Sequence, residues 1–162
     1  MVVLVSDTSV LIDLERGNLL ETAFACGLTM IVPDLLYQRE LADHNGPYLR
    51  SLGLGVTALS PTELQLAQEV RKVRPALSLN DCFALSCATR AGHTLVTGDK
   101  ALRSEAEART VIVVGLLWLL DRMAEAGVPR QELHDGLSRI SGHLRCRLPS
   151  SEVKARLKQW SP

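Results

Sequence analysis

Short, nearly unbroken apolar runs rich in β-branched residues alternate along the chain with longer stretches in which apolar positions recur every three or four residues. The short runs are residues 2–6, 29–32, 56–59, 94–97 and 111–114. Runs that are apolar on both faces suit the interior of a parallel sheet covered by helices on either side, rather than strands with one wet face. Between them, the helical spacing predicts helices over 9–15, ended by Gly17, and over 19–26, ended by Gly27. A third starts at Pro33 and runs to about residue 42, and Pro61 opens a fourth that must stop before Pro75. Residues 78–91 form a fifth, with Phe83, Cys87 and Ala91 on one stripe, and residues 100–108 a short sixth. The expected fold is α/β: a three-layer α/β/α sandwich around a five-stranded parallel sheet.

Past the last strand the pattern is helical throughout, with helices expected over 116–126, 129–141 and 151–160, split by Gly127 and by Leu148-Pro149. Residues 1–115 thus read as the sheet-bearing domain, and 116–162 as a helical extension packed on it or on a partner. At 162 residues there is room for one ordinary domain and not for two catalytic ones. Eighteen basic and eighteen acidic side chains cancel to a net charge of zero, but unevenly. Residues 1–120 carry a balance of −3 and residues 121–162 one of +3. An acidic body and a basic tail therefore need separate explanations.

The four cysteines form no CxxC pair, and they read as small apolar residues of a reducing compartment rather than as disulfides or zinc ligands. The amino terminus, MVVLVSD, has no basic region ahead of its apolar run, so no secretory leader is expected. The longest apolar stretch, 111–120, is too short to span a bilayer. A cytoplasmic protein is the expectation.

Candidate chemistry lies in the carboxylates. Asp7 directly follows the first strand run, Asp99 follows the fourth, and Asp81 stands three residues after Ser78 at the start of a helix. Each alone fits a helix cap, since a side-chain oxygen at a helix start accepts otherwise unpartnered backbone N–H groups. Glu40 instead lies within a helix, four residues after Leu36, on the face that carries leucines. In a sheet ordered 3-2-1-4-5 the first and fourth strands are neighbours at the switch point, where open α/β sheets bind ligands. Asp7 and Asp99 then end side by side, the helix begun by Asp81 starts on the same edge, and Glu40 hangs over it. Four carboxylates in one crevice repel each other unless a cation sits among them. Hard oxygen donors without a His/Cys set favour Mg²⁺ or Mn²⁺ over zinc, and such ions promote phosphodiester hydrolysis.

The series Asp7 in VSDTSVLI, Glu40 in VPDLLYQREL, Asp81 in LSLNDCFALSCA and Asp99 in LVTGDKALR resembles the PIN domain, the metal-dependent ribonuclease fold of VapC-type bacterial toxins. The resemblance covers about residues 2–115. It implies a Mg²⁺- or Mn²⁺-dependent endoribonuclease in which the four acids hold the metal and a bound water attacks an RNA phosphate. By the same resemblance Ser9 and Thr97 match hydroxyl positions that help place the water and the acids, with Asn80 as a further supporting residue. A toxin role in a type II toxin–antitoxin pair, a cognate antitoxin and a homodimer are also implied. Where many members carry a further Asp beyond the fourth acid, Leu102 and Arg103 stand here. A catalytically silent PIN-fold module that binds RNA or protein is the alternative.

Other chemistries lack their residues. No glycine-rich phosphate loop of the GxxxxGK[ST] or GxGxxG type occurs, no GxSxG elbow, and the four histidines show no ligand spacing. In the tail, Arg139, Arg145, Arg147, Lys154, Arg156 and Lys158 suit RNA phosphates, an acidic partner or a solvated helical face. Val153, Leu157 and Trp160 show that the last helix has an apolar side to cover.

Overall fold

The strands β1 (Val3–Ser6), β2 (Thr29–Pro33), β3 (Gly55–Thr57), β4 (His93–Val96) and β5 (Val113–Val114) pair in parallel, in the order β3-β2-β1-β4-β5, in a computed structural model that describes residues 2–162. The register runs Val5 to Ile31 on one side of β1 and Val5 to Leu95 on the other. Leu4, Val5, Leu95 and Val96 are wholly buried, because helices cover both faces of the two central strands. Each fully buried side chain of this size contributes about 1.5–3 kcal/mol. The α/β sandwich and strand order expected from the sequence are those observed.

The helices are α1 (Thr8–Arg16), α2 (Leu20–Ala25), α3 (Asp34–Leu36), α4 (Gly46–Leu52), α5 (Pro61–Val73), α6 (Leu79–Cys87), α7 (Lys100–Ala108), α8 (Leu116–Glu125), α9 (Arg130–Ser141) and α10 (Ser150–Gln159). Three of them depart from expectation. The helix predicted from Pro33 to about residue 42 has only one α-helical turn, α3. It continues as a wider π turn over Tyr37–Leu41, closed by the Ala42 N–H donating to the Tyr37 carbonyl at 2.8 Å. Helix α4 was not anticipated. It starts with Gly46, where a Cβ would lie 2.5 Å from the Leu41 carbonyl oxygen, so only glycine lets the chain turn this tightly behind the π turn. The fifth predicted helix also ends early, at Cys87 rather than residue 91. The Thr89 hydroxyl donates to the Ser86 carbonyl at 2.7 Å, and the chain unwinds through a turn to Gly92, whose φ of 73° suits glycine.

A staple fixes the far side of the sheet. Ser60 and Glu63 form a reciprocal cap on α5, and Arg90, just past α6, donates to both Glu63 carboxylate oxygens at 2.7 and 2.9 Å and to the Ala58 carbonyl at 2.8 Å.

The C-terminal helices lie along the body. Helix α9 crosses the end of α1 at Gly136, where a Cβ would meet Leu19 Cδ1 at 2.5 Å and the Gly17 carbonyl oxygen at 3.0 Å. The Arg139 guanidinium donates to that Gly17 carbonyl at 3.2 Å. Helix α10 packs on α9, buries Trp160, and is tied to α8 by a two-pronged Arg156–Asp121 pair at 2.9 and 2.8 Å. After α9, Arg145, Arg147 and Leu148 of the segment 142–149 line one groove with Ser9, Ile12, Asp13 and Arg16 of α1. Among the described residues no helix is long and apolar enough to cross a membrane.

Candidate metal centre

Four segments deliver carboxylates to one crevice of about 290 Å³ at the carboxyl edge of the sheet, lined by Asp7, Glu40, Asp81 and Asp99 together with Thr8, Ser9 and Asn80. Ile12 and Leu36 supply its apolar wall. All four acids singled out in the sequence are thus brought together, and the local roles expected of three of them hold at the same time.

Asp7 leaves β1 and caps α1. Its Oδ1 accepts the Val10 N–H at 3.0 Å and the Ser9 hydroxyl at 2.8 Å, and its Oδ2 accepts the Thr97 hydroxyl. It is only 5% exposed. Asp99 leaves β4 and caps α7 through the Leu102 N–H at 2.9 Å, while its own N–H donates to Thr97 Oγ1 at 3.1 Å. Thr97 therefore bridges the two strand-end acids. Asp81 and Ser78 form a reciprocal cap on α6, at 3.0 and 3.2 Å. Three helix amino termini, of α1, α6 and α7, consequently meet at the crevice, and their dipoles favour negative charge there.

Glu40 arrives differently. It lies in the π turn after α3, with Leu36 beside it in the crevice wall. A π turn inserts one extra residue per hydrogen-bonded ring and so re-aims the side chains that follow, a device frequent at functional sites. Glu40 Oε1 accepts the Asn80 amide at 2.6 Å and Oε2 accepts the Thr8 hydroxyl. Thr8 is the site residue the sequence reading passed over. Its signal was its place within Asp7-Thr8-Ser9, where every side chain starts at the same strand end.

The acids sense one another. Burial raises the Asp7 carboxyl above the ordinary carboxylate range, and Asp81 adds to the rise, against hydrogen bonds from Thr97, Ser9 and the Val10 N–H. Burial likewise raises Asp81, with further push from Asp99 and Glu40, against its two bonds to Ser78. Asp81 thus couples to all three other acids. Like charges held this close favour either a proton or a cation among them.

The donor set fits a hard divalent cation. The acidic, hydroxyl and amide side chains lining the crevice offer oxygen, with neither His nor Cys among them. Asp81 Oδ1 and Asp99 Oδ2 accept no hydrogen bond among the described residues, and Asn80 Oδ1 is buried with no partner. A buried amide oxygen left unpaired costs about 1–3 kcal/mol unless a water or ion meets it. Among the described residues no three His, Cys, Asp or Glu side chains are grouped closely enough to hold an ion as they stand.

Leu102, on α7, is fully buried, and Arg103 folds back to donate to the Thr97 carbonyl at 3.3 Å, so neither position adds an acid to the crevice. A family model described as a PIN domain matches residues 3–162, the C-terminal helices included. No curated protein matches the chain.

Proposed function

The chain belongs to the PIN domain family, a nuclease fold, and on that premise we propose that it is a divalent-metal-dependent endoribonuclease whose metal is held by Asp7, Glu40, Asp81 and Asp99. The observation that carries this reading is the convergence of four carboxylates from four separate segments on one crevice at the strand ends. A bound Mg²⁺ or Mn²⁺ supplies a nucleophile from water at neutral pH and offsets the charge that develops on the phosphate.

The protein's own groups do the rest. Thr97, Ser9 and the Val10 N–H hold both oxygens of Asp7, so this acid keeps one orientation in every turnover. Asn80 and Thr8 orient Glu40, and the Leu102 N–H orients Asp99 while leaving its other oxygen available. The helix amino termini of α1, α6 and α7 favour an anionic phosphate beside the acids. Ile12 and Leu36 limit water on one side.

The narrower reading is the toxin of a type II toxin–antitoxin pair, working in the cytoplasm as a homodimer restrained by an antitoxin. It is supported by the resemblance of the acid motifs to VapC-type toxins. A gene for a small DNA-binding protein beside this one, whose product co-purifies with the chain and blocks cleavage, is its expected mark.

A second reading is favoured by one observation: Leu102 and Arg103 occupy the stretch where many relatives place a further acid, and both are committed to packing. The chain would then be a silent PIN-fold module that binds RNA or protein. The test is incubation of single-stranded RNA with the protein and Mn²⁺ or Mg²⁺. Fragments with wild type and none with Asp7→Asn are expected; RNA left intact by the wild type overturns the nuclease reading in favour of the module.

A further inference from the structure

Of the tail's eight basic residues, the six from Arg139 onward separate by environment. Arg139 and Arg156 are committed to Gly17 and Asp121. Lys154 and Lys158 lie exposed on α10. Arg145 and Arg147 lie exposed on the segment 142–149, and neither forms an ion pair among the described residues.

Their location is what distinguishes them. Arg145 and Arg147, with Arg16, line a groove of about 300 Å³ that shares Ser9, Ile12 and Asp99 with the acidic crevice. The two adjoin along α1, with the four acids on one side and Arg16, Arg145 and Arg147 on the other. Gly98 lines the groove next to Asp99, and a Cβ there would meet nothing within 4 Å, so the space beside Asp99 is open. Leu148 and the half-exposed Ile12 provide apolar surface between the charges.

We propose that this groove is the track of the RNA strand, and that Arg145 and Arg147 bind the phosphates next to the one placed at the four acids; the proposal rests on the nuclease reading above. A polynucleotide with one linkage at the acids must lay its neighbouring nucleotides along whatever adjoins them, and on this side that is the arginine wall. Guanidinium groups suit the task because their planar fork binds phosphate oxygens in pairs and their faces stack on bases. Arg16 is a lesser contributor because Asp13 already holds it at 3.5 Å. The +3 balance of the tail is then not a diffuse charge. Two of its arginines without an ion pair, Arg145 and Arg147, are carried by α9, locked at Gly136, to the edge of the site.

The experiment measures binding of a fluorescent single-stranded RNA as a function of salt, with Asp7→Asn in every protein so that the probe stays whole. Compared are the parent, the Arg145→Gln/Arg147→Gln variant, and Lys154→Gln/Lys158→Gln, which removes the same charge from α10. For single strands each lost phosphate contact lowers the salt slope by about 0.7, so the arginine pair is expected to lower it by about 1.4 and the lysine pair to leave it unchanged. An unchanged slope in the arginine variant, or an equal fall in the lysine variant, overturns the proposal. So does loss of polyglutamate binding in the arginine variant while RNA binding persists, which would assign these residues to an acidic protein partner. Thermal stabilisation by Mn²⁺, measured with Asp7 intact, is expected to survive the arginine changes. Its absence from the wild type marks failure of the nuclease reading rather than of the groove.

Discussion

Thr97, at the end of β4, donates its hydroxyl proton to Asp7 at the end of β1, ninety positions earlier in the chain. The same oxygen accepts the Asp99 N–H at 3.1 Å. One wholly buried hydroxyl therefore sets the spacing of two acids that belong to different strands. Strand pairing brings β1 and β4 together; Thr97 turns that adjacency into a defined arrangement of oxygens.

Replacing Thr97 by Val keeps the shape and removes the bridge. Loss of a hydrogen bond to a buried carboxylate should destabilise the protein by about 1–3 kcal/mol. Thr97→Ser should recover most of it. Urea unfolding of the three proteins checks this, and equal stability of the Val variant would show that the bridge is not a stabilising contact.

Metal binding should appear as stability. Mn²⁺ at about a hundredfold excess over its Kd is expected to add about 2.7 kcal/mol to the wild type. Asp7→Asn and Asp99→Asn should remove most of that gain. Melting temperatures with and without Mn²⁺, and again after chelation with EDTA, read it directly; an equal gain in the variants would place the ion elsewhere.

The close approach at Gly136 predicts that Gly136→Ala is destabilising. Its new methyl would meet Leu19 Cδ1 at 2.5 Å, and relieving such overpacking costs about 1–3 kcal/mol. Because α9 carries the arginine-bearing segment, the variant should also bind RNA more weakly. Denaturant midpoints check the first part and RNA titration the second.

Acid should weaken the staple on the far side of the sheet. Arg90 holds the Glu63 carboxyl at about 2, below its ordinary 4.5. A depressed carboxyl contributes stability that is fully present above about pH 4.5 and is lost as pH falls toward about 2. Arg90→Gln removes the main cause of the depression. Its stability should be lower near neutrality and fall less steeply with acid than that of the wild type. Urea unfolding at a series of pH values compares the two slopes; parallel curves would contradict the assignment.

What could be read from the sequence, and what could not, follows from the range of the forces involved. The sheet was legible because β1 and β4 are buried on both faces, and such strands must be apolar at nearly every position. Asp7, Asp81 and Asp99 were legible because strand ends and helix starts carry local signatures, and each of these residues caps a helix. The π turn around Glu40 was not, since shifting one hydrogen bond leaves the apolar pattern unchanged. Helix α4 begins with Gly-Pro, which reads as a turn until the close packing behind Leu41 is known. Thr8 was hidden because its partner, Glu40, lies thirty-two residues away. The nearness of Arg145 and Arg147 to the acids depends on how α9 crosses α1, and no spacing along the chain encodes that.

The most direct measurement is the rate of RNA cleavage in Mn²⁺ by the wild type and by Asp7→Asn, Glu40→Gln, Asp81→Asn and Asp99→Asn, each first shown to be folded. If the four carboxylates act as one metal site, every variant should lose at least the about 10–100-fold that removal of a positioning partner costs, with Asp7→Asn the most severe. Cleavage at the wild-type rate by Asp7→Asn, or no cleavage by the wild type at any Mn²⁺ or Mg²⁺ concentration, would contradict the account.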